Sequence, residues 1–128
     1  MWDVMKGGAM DRREMQDRTK QFALRALKLA DALSNTASGR AVAGQFARCG
    51  SAVGANYRAA GRARSRKEFL ARLGVVEEEA DECAFWLEVI VENALLPPKR
   101  VKPLLDEAEQ ILRIMVASIN TTKRRSQP

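Results

Sequence analysis

The chain of 128 residues has no histidine. That removes the side chain best suited to proton transfer near neutral pH. It also removes the Glu-x-x-His pairs on which carboxylate metal sites in helical bundles depend. There is no Gly-x-Ser-x-Gly elbow and no phosphate-binding Walker loop. The chain therefore reads as a non-enzyme, with no catalytic residue, metal or cofactor assigned. Its two cysteines, Cys49 and Cys83, lack Cys-x-x-Cys spacing. Each falls on an apolar helical stripe, so both are expected as buried free thiols in a reducing compartment. Aromatic residues make up 5% of the chain, which leaves few platforms for base stacking. No apolar run approaches the ~20 residues of a membrane span, so no membrane partner is expected. The first residues, MWDVMKGGAMDRRE, lack the apolar core of a signal peptide. The expected location is the cytoplasm.

What remains is a helical composition. Hydrophobic residues make up 46% and charged residues 30%. Ala, Leu, Arg and Glu dominate, which favours helices over sheets. The length fits one domain with a real core. The net charge is +6. A basic excess by itself admits nucleic acid, an anionic membrane surface or an acidic protein as partner, and does not choose among them. Arginine outnumbers lysine 15 to 7, which suits phosphate or ion-pair contacts.

The periodicity predicts four helices, at about 11–33, 40–61, 66–94 and 98–121. Residues 1–10 are expected to be flexible and 123–128 to form a basic tail. Asp11 with Glu14, and Ser65 with Glu68, have the spacing of capping boxes. The first helix carries Met15, Thr19, Phe22, Ala26, Leu29 and Leu33 on one face. The third carries Phe69, Leu73, Val76, Ala80, Cys83, Leu87, Ile90 and Ala94 at strict heptad spacing, the strongest periodic signal in the chain. Pro97-Pro98 ends it and Pro98 opens the fourth helix, whose face is Leu104, Ala108, Ile111, Met115 and Ile119. Short loops between four helices predict an all-α, antiparallel up-down bundle.

The second helix is unusual. Residues 41–57 carry one charge, Arg48. Val42, Phe46, Cys49, Val53, Asn56 and Ala60 form one stripe, and Ala43, Ala47, Gly50, Gly54 and Tyr57 form a second. Four glycines fall between positions 39 and 54, and a mid-helix glycine costs roughly 0.5–1 kcal/mol against alanine. Close packing must offset that cost. A helix this small and apolar is expected to need more neighbours than one chain supplies, so the second stripe, with Trp86, is the expected interface between copies. Asn56 is the expected buried polar residue that fixes register.

Arg58, Arg62, Arg64, Arg66 and Lys67 then place five cations in ten residues at the turn between the second and third helices. They form a candidate nucleic-acid-binding patch. Alternatively, they pair with carboxylates of the third helix or of a neighbouring copy, as in a protein–protein adaptor. The third helix supplies such acids in Glu77, Glu78, Glu79, Asp81, Glu82, Glu88 and Glu92. No base occurs between Gly74 and Pro98. Arg58, Arg62 and Arg72 are the expected pairing partners of these acids.

The segment GSAVGANYRAAGRARSRKEFLARLGVVEEEADECAFWLE, residues 50–88, resembles a bacterial four-helix-bundle family first noticed in the intervening sequences of ribosomal RNA genes. The likeness rests on Asn56 in the family's Ser-x-x-x-Asn position and on Ser65-Arg66-Lys67-Glu68-Phe69 at the start of the third helix. Ala55 to Ala60, Arg62 to Ser65, Glu77 to Glu82 and Phe85-Trp86-Leu87-Glu88 are similar to one subgroup. Asp17-Arg18-Thr19-Lys20 and Phe22-Ala23-Leu24-Arg25 resemble that subgroup's first helix. Ala59-Ala60 stand where the better-known branch has Glu-Gly. The resemblance implies a homo-oligomeric ring of bundles, commonly a pentamer. A related branch implies a basic bundle that contacts nucleic acid, RNA or DNA, and assists a reverse transcriptase.

Overall fold

A computed structural model describes residues 11–125. Residues 1–10, expected to be flexible, and 126–128 at the end of the basic tail lie outside the described residues. Four helices follow one another: α1 (Arg12–Asp31), α2 (Ala37–Ala60), α3 (Arg66–Glu92) and α4 (Pro98–Arg125). There is no strand among the described residues.

Local chemistry sets the helix starts. The Asp11 carboxylate accepts from the Glu14 N–H at 2.8 Å, and the Ser65 hydroxyl accepts from the Glu68 N–H at 3.1 Å. Each satisfies a donor that the first turn leaves unpaired. α2 starts three residues earlier than its periodicity suggests. Thr36 caps it by accepting from the Gly39 N–H at 3.0 Å. Its first turn is small and polar, so it carries no apolar period to read.

The helix ends also differ from the sequence expectation. α1 stops at Asp31, after which Ala32 and Leu33 tighten into i→i+3 bonds to Leu29 and Ala30. α3 closes in a Schellman turn. The Leu95 N–H reaches Ile90 O at 2.9 Å and the Ala94 N–H reaches Val91 O at 3.0 Å. Ala94 takes φ 53° there, a left-handed conformation that glycine adopts at lower cost. α4 runs through Pro103 to Arg125, so the first three residues of the expected tail are helical.

Consecutive helices pack side by side, α1 on α2, α2 on α3 and α3 on α4. α1 and α4 approach each other much less closely, and the backbones of the diagonal pairs stay apart, with only side chains filling the space between them. The heptad stripe of α3 is buried from Phe69 to Ile90. It packs with Met15, Phe22, Phe46, Val53, Ile111 and Met115 in one core. Burial of each such side chain is worth about 1.5–3 kcal/mol. At the thin α1–α4 edge, Arg18 reaches Glu107 through Nε at 2.6 Å and Nη2 at 2.7 Å, and Gln110 at 2.9 Å. The Glu107 hydrogen bonds hold the Arg18 guanidinium above the ordinary arginine range despite partial burial.

α2 does not need a second chain to cover its apolar side. Val42, Phe46, Cys49, Val53 and Tyr57 lie in the protomer's own core. An alanine Cβ at Gly50 would sit 2.4 Å from the Ala26 Cβ. At Gly54 it would sit 3.0 Å from Thr19 O and 3.4 Å from the Ala23 Cβ. The partner of the small stripe is therefore α1, reached because these glycines carry no side chain.

Candidate functional site

Antiparallel packing gathers the α1 N-terminus, the α2–α3 turn and the α4 C-terminus at one end of the bundle. Within residues 11–14, 58–68 and 122–125 there are ten cations and three acids, a net +7. The remaining residues hold 12 cations and 13 acids, a net −1. The positive charge of the whole chain is thus the charge of this end.

Arg58, Arg62, Arg64, Arg66 and Lys67 are all exposed there. Arg64 lies 3.9 Å from Glu68, and its side chain is 92% exposed. The other four make no ion pair among the described residues. The expected pairing of the turn with the acids of α3 is replaced by a different one. Arg48, on the edge of α2 that faces α3, reaches Glu82 at 2.6 Å and Glu79 at 3.3 Å. Those carboxylates hold its guanidinium above the ordinary arginine range. Arg58 lies more than two and a half turns further along α2 and Arg62 lies past its end, both beyond reach of these acids.

Arg72 points at Asn56 instead of an acid. The Asn56 Oδ1 accepts from the Arg72 Nη1 at 3.1 Å, and its Nδ2 donates to Ala52 O at 2.9 Å. Asn56 is half-buried on the α2–α3 edge, not buried in the core as its place on the apolar stripe suggests. The register of the helical period drifts enough over α2 to carry it to the rim.

A groove of about 520 Å³ adjoins the basic end between α1 and α2. Arg13 and Lys20 of α1 face Arg58 of α2 and Arg62 of the following turn across it. Gln16 and Asp17 line it as well, and Ala23, Gly54 and Ala55 supply its small side chains. Arg12 donates to Gly61 O at 3.4 Å, tying the start of α1 to the end of α2. The sequence reading missed Arg13 and Lys20, which look like an ordinary solvated face of α1. The signal was topological: in an up-down pair, the start of α1 lies beside the end of α2.

Of the residues expected at an interface between copies, Tyr57 is 1% exposed within the protomer and Gly50 is buried. Gly54 is half-buried against α1. α1 lies against Gly50 and Gly54, and Tyr57 belongs to the protomer's core. Ala43 and Ala47 are half-buried against the same core. Trp86 is also half-buried. Its Nε1 donates to Glu82 at 3.3 Å, and its ring meets Phe85 edge-on at 4.9 Å. Phe85 is 55% exposed.

Cys49 and Cys83 are free and buried, with their sulfurs 3.2 Å apart. The contact with Cys49, followed by burial, pushes the Cys83 thiol far above its ordinary range. A thiol held neutral this firmly is a poor nucleophile in the folded chain. Among the described residues, no three of His, Cys, Asp or Glu converge as metal ligands. No described helix is long and apolar enough to cross a membrane.

The profile of the 23S rRNA-intervening sequence proteins matches residues 12–117. Among solved structures, a protein of unknown function from the S23 ribosomal protein family of Bacteroides thetaiotaomicron is similar to this chain. It is 27% identical, with a TM-score of 0.77, over 82% of this chain and 97% of that one. No curated protein matches the chain.

Proposed function

The chain belongs to the 23S rRNA-intervening sequence protein family, and from the surface it presents we propose that it is a non-enzymatic module that binds nucleic acid by its phosphates at the basic end of the bundle. The observation that carries this reading is the segregation of charge: net +7 at one end and −1 over everything else. Phosphate contacts from arginine and lysine release condensed counterions, and that release drives binding. The α1–α2 groove extends the surface, with Arg13, Lys20, Arg58 and Arg62 as its walls. Asp17 on the same groove opposes phosphate there, so the strongest contacts belong to the turn.

The reading extends to assembly. Copies side by side in a homo-oligomeric ring, such as a pentamer, repeat the basic end and multiply its hold on a long polyanion. Support for assembly comes from outward features that the protomer leaves open or only partly covered. An alanine Cβ at Gly44 would meet no neighbouring element within 4 Å, and Phe85, touched by the Trp86 ring, is more than half exposed.

The test is the double reversal Arg58→Glu with Arg62→Glu, read by gel shift on RNA and DNA and by mass in solution. The proposal expects nucleic-acid retention to fall more than tenfold with solution mass unchanged. The adaptor reading, in which these arginines pair with acids of a neighbouring copy, expects the assembly to fall apart instead. Wild type that retains neither RNA nor DNA at about 100 mM salt contradicts the nucleic-acid reading.

A further inference from the structure

Cys49 of α2 and Cys83 of α3 meet inside the core with their Sγ atoms 3.2 Å apart, both fully buried. From this contact we propose that the pair is a modification site, at which a small-molecule disulfide oxidant converts the two thiols into one intramolecular disulfide that staples α2 to α3. The geometry is nearly that of the product. The sulfurs need to approach by about 1 Å to reach the bond length of about 2.0 Å. The two helices that carry them already pack along their length.

The position gives the bond a consequence. It closes the loop formed by residues 50–82, which contains Arg58, Arg62, Arg64, Arg66 and Lys67. Every cation of the α2–α3 turn would then sit on a covalently closed hairpin. Closing a loop of that length restricts the unfolded chain strongly, so the oxidised protein is the more stable form. The proposal is independent of what the turn binds.

The chemistry balances with the oxidant alone. One cysteine gives up its proton, and its thiolate attacks a sulfur of the oxidant. A mixed disulfide forms and one small thiolate leaves. The second cysteine loses its proton and attacks the protein sulfur of the mixed disulfide, expelling the second small thiolate. Two protein thiols are oxidised, one oxidant disulfide is reduced, and the two protons end on the two released thiols. Both sulfurs are sealed from solvent, so the first step waits for α2 and α3 to part. The reaction is therefore slow in the resting protein and faster in mild denaturant.

The experiment uses the full chain and oxidised glutathione. Native protein is incubated with the oxidant, quenched in acid, unfolded and treated with a thiol-alkylating reagent. The expected product is a monomer on a non-reducing gel that carries no alkyl label and has lost two hydrogens in mass. Its Tm lies several degrees above that of the reduced protein, and dithiothreitol reverses the rise. Cys49→Ala and Cys83→Ala variants show no such rise. Two outcomes overturn the proposal. One is a chain that still keeps two alkylatable thiols after prolonged exposure to the oxidant in mild denaturant that leaves the protein folded, where α2 and α3 part often. The other is oxidation that stops at a glutathione adduct or a disulfide-linked dimer.

Discussion

Gly50 and Gly54 on one side of α2 contrast with Gly44 on its other side and Gly74 on α3. All four interrupt helices and carry the same intrinsic penalty, roughly 0.5–1 kcal/mol each against alanine. At positions 50 and 54 the missing side chain lets α1 lie against α2, and any replacement meets α1. At positions 44 and 74 a Cβ would meet nothing within 4 Å. The inward penalty is offset inside the protomer and the outward one is not. The contrast separates what the fold requires of α2 from what it leaves open to a partner.

Four substitutions test this contrast. Gly50→Val forces a branched side chain onto the Ala26 Cβ and is expected to cost about 3 kcal/mol, read by urea unfolding. A loss below about 1 kcal/mol would mean that α1 and α2 part easily, and the inward half of the contrast would fail. Gly54→Ala meets Thr19 O and the Ala23 Cβ less severely. Its clash exceeds its gain in helix propensity, for a net loss of about 1 kcal/mol. Gly44→Ala goes the other way, with a gain of about 0.7 kcal/mol at high dilution. If a second copy covers that face, the same change lowers the solution mass at higher concentration. Ala94→Gly is the converse case, a glycine supplied where the backbone is already left-handed. It is expected to gain about 0.5 kcal/mol, because relief of strain outweighs the added freedom of the unfolded chain. An unchanged midpoint would show that the Schellman turn carries no strain.

Much of the fold could be read from the chain because its signals are local. Asp11 and Ser65 cap helices where their spacing with Glu14 and Glu68 indicates. The α3 stripe is buried from Phe69 to Ile90 because a heptad repeat states its own buried side. The site was less legible because its signals are relational. Small residues at Gly50 and Gly54 say that a backbone comes close, not whose backbone it is. The low charge of α2 suggested a missing neighbour, yet its apolar side is filled by the chain's own helices. Arg48 was the one charge in a bare segment, and only the α2–α3 pairing reveals that it answers Glu79 and Glu82. The exposed turn cations were readable as a run. Their joining with Arg13 and Lys20 was not, because that depends on the two ends of a helical hairpin lying side by side.

The same distinction governs the charges. Arg48 and Arg18 are bound into contacts between helices, whereas Arg58, Arg62, Arg66 and Lys67 have no ion-pair partner among the described residues. The central claim is that the second group is held for phosphate. The most direct test is the salt dependence of nucleic-acid affinity for wild type and for the Arg58→Gln, Arg62→Gln double variant. A steep negative slope of log affinity against log salt is expected for wild type, shallower by about 1.5–2 in the variant if both arginines contact phosphates. A wild-type slope near zero, or a variant with the wild-type slope and affinity, would contradict it.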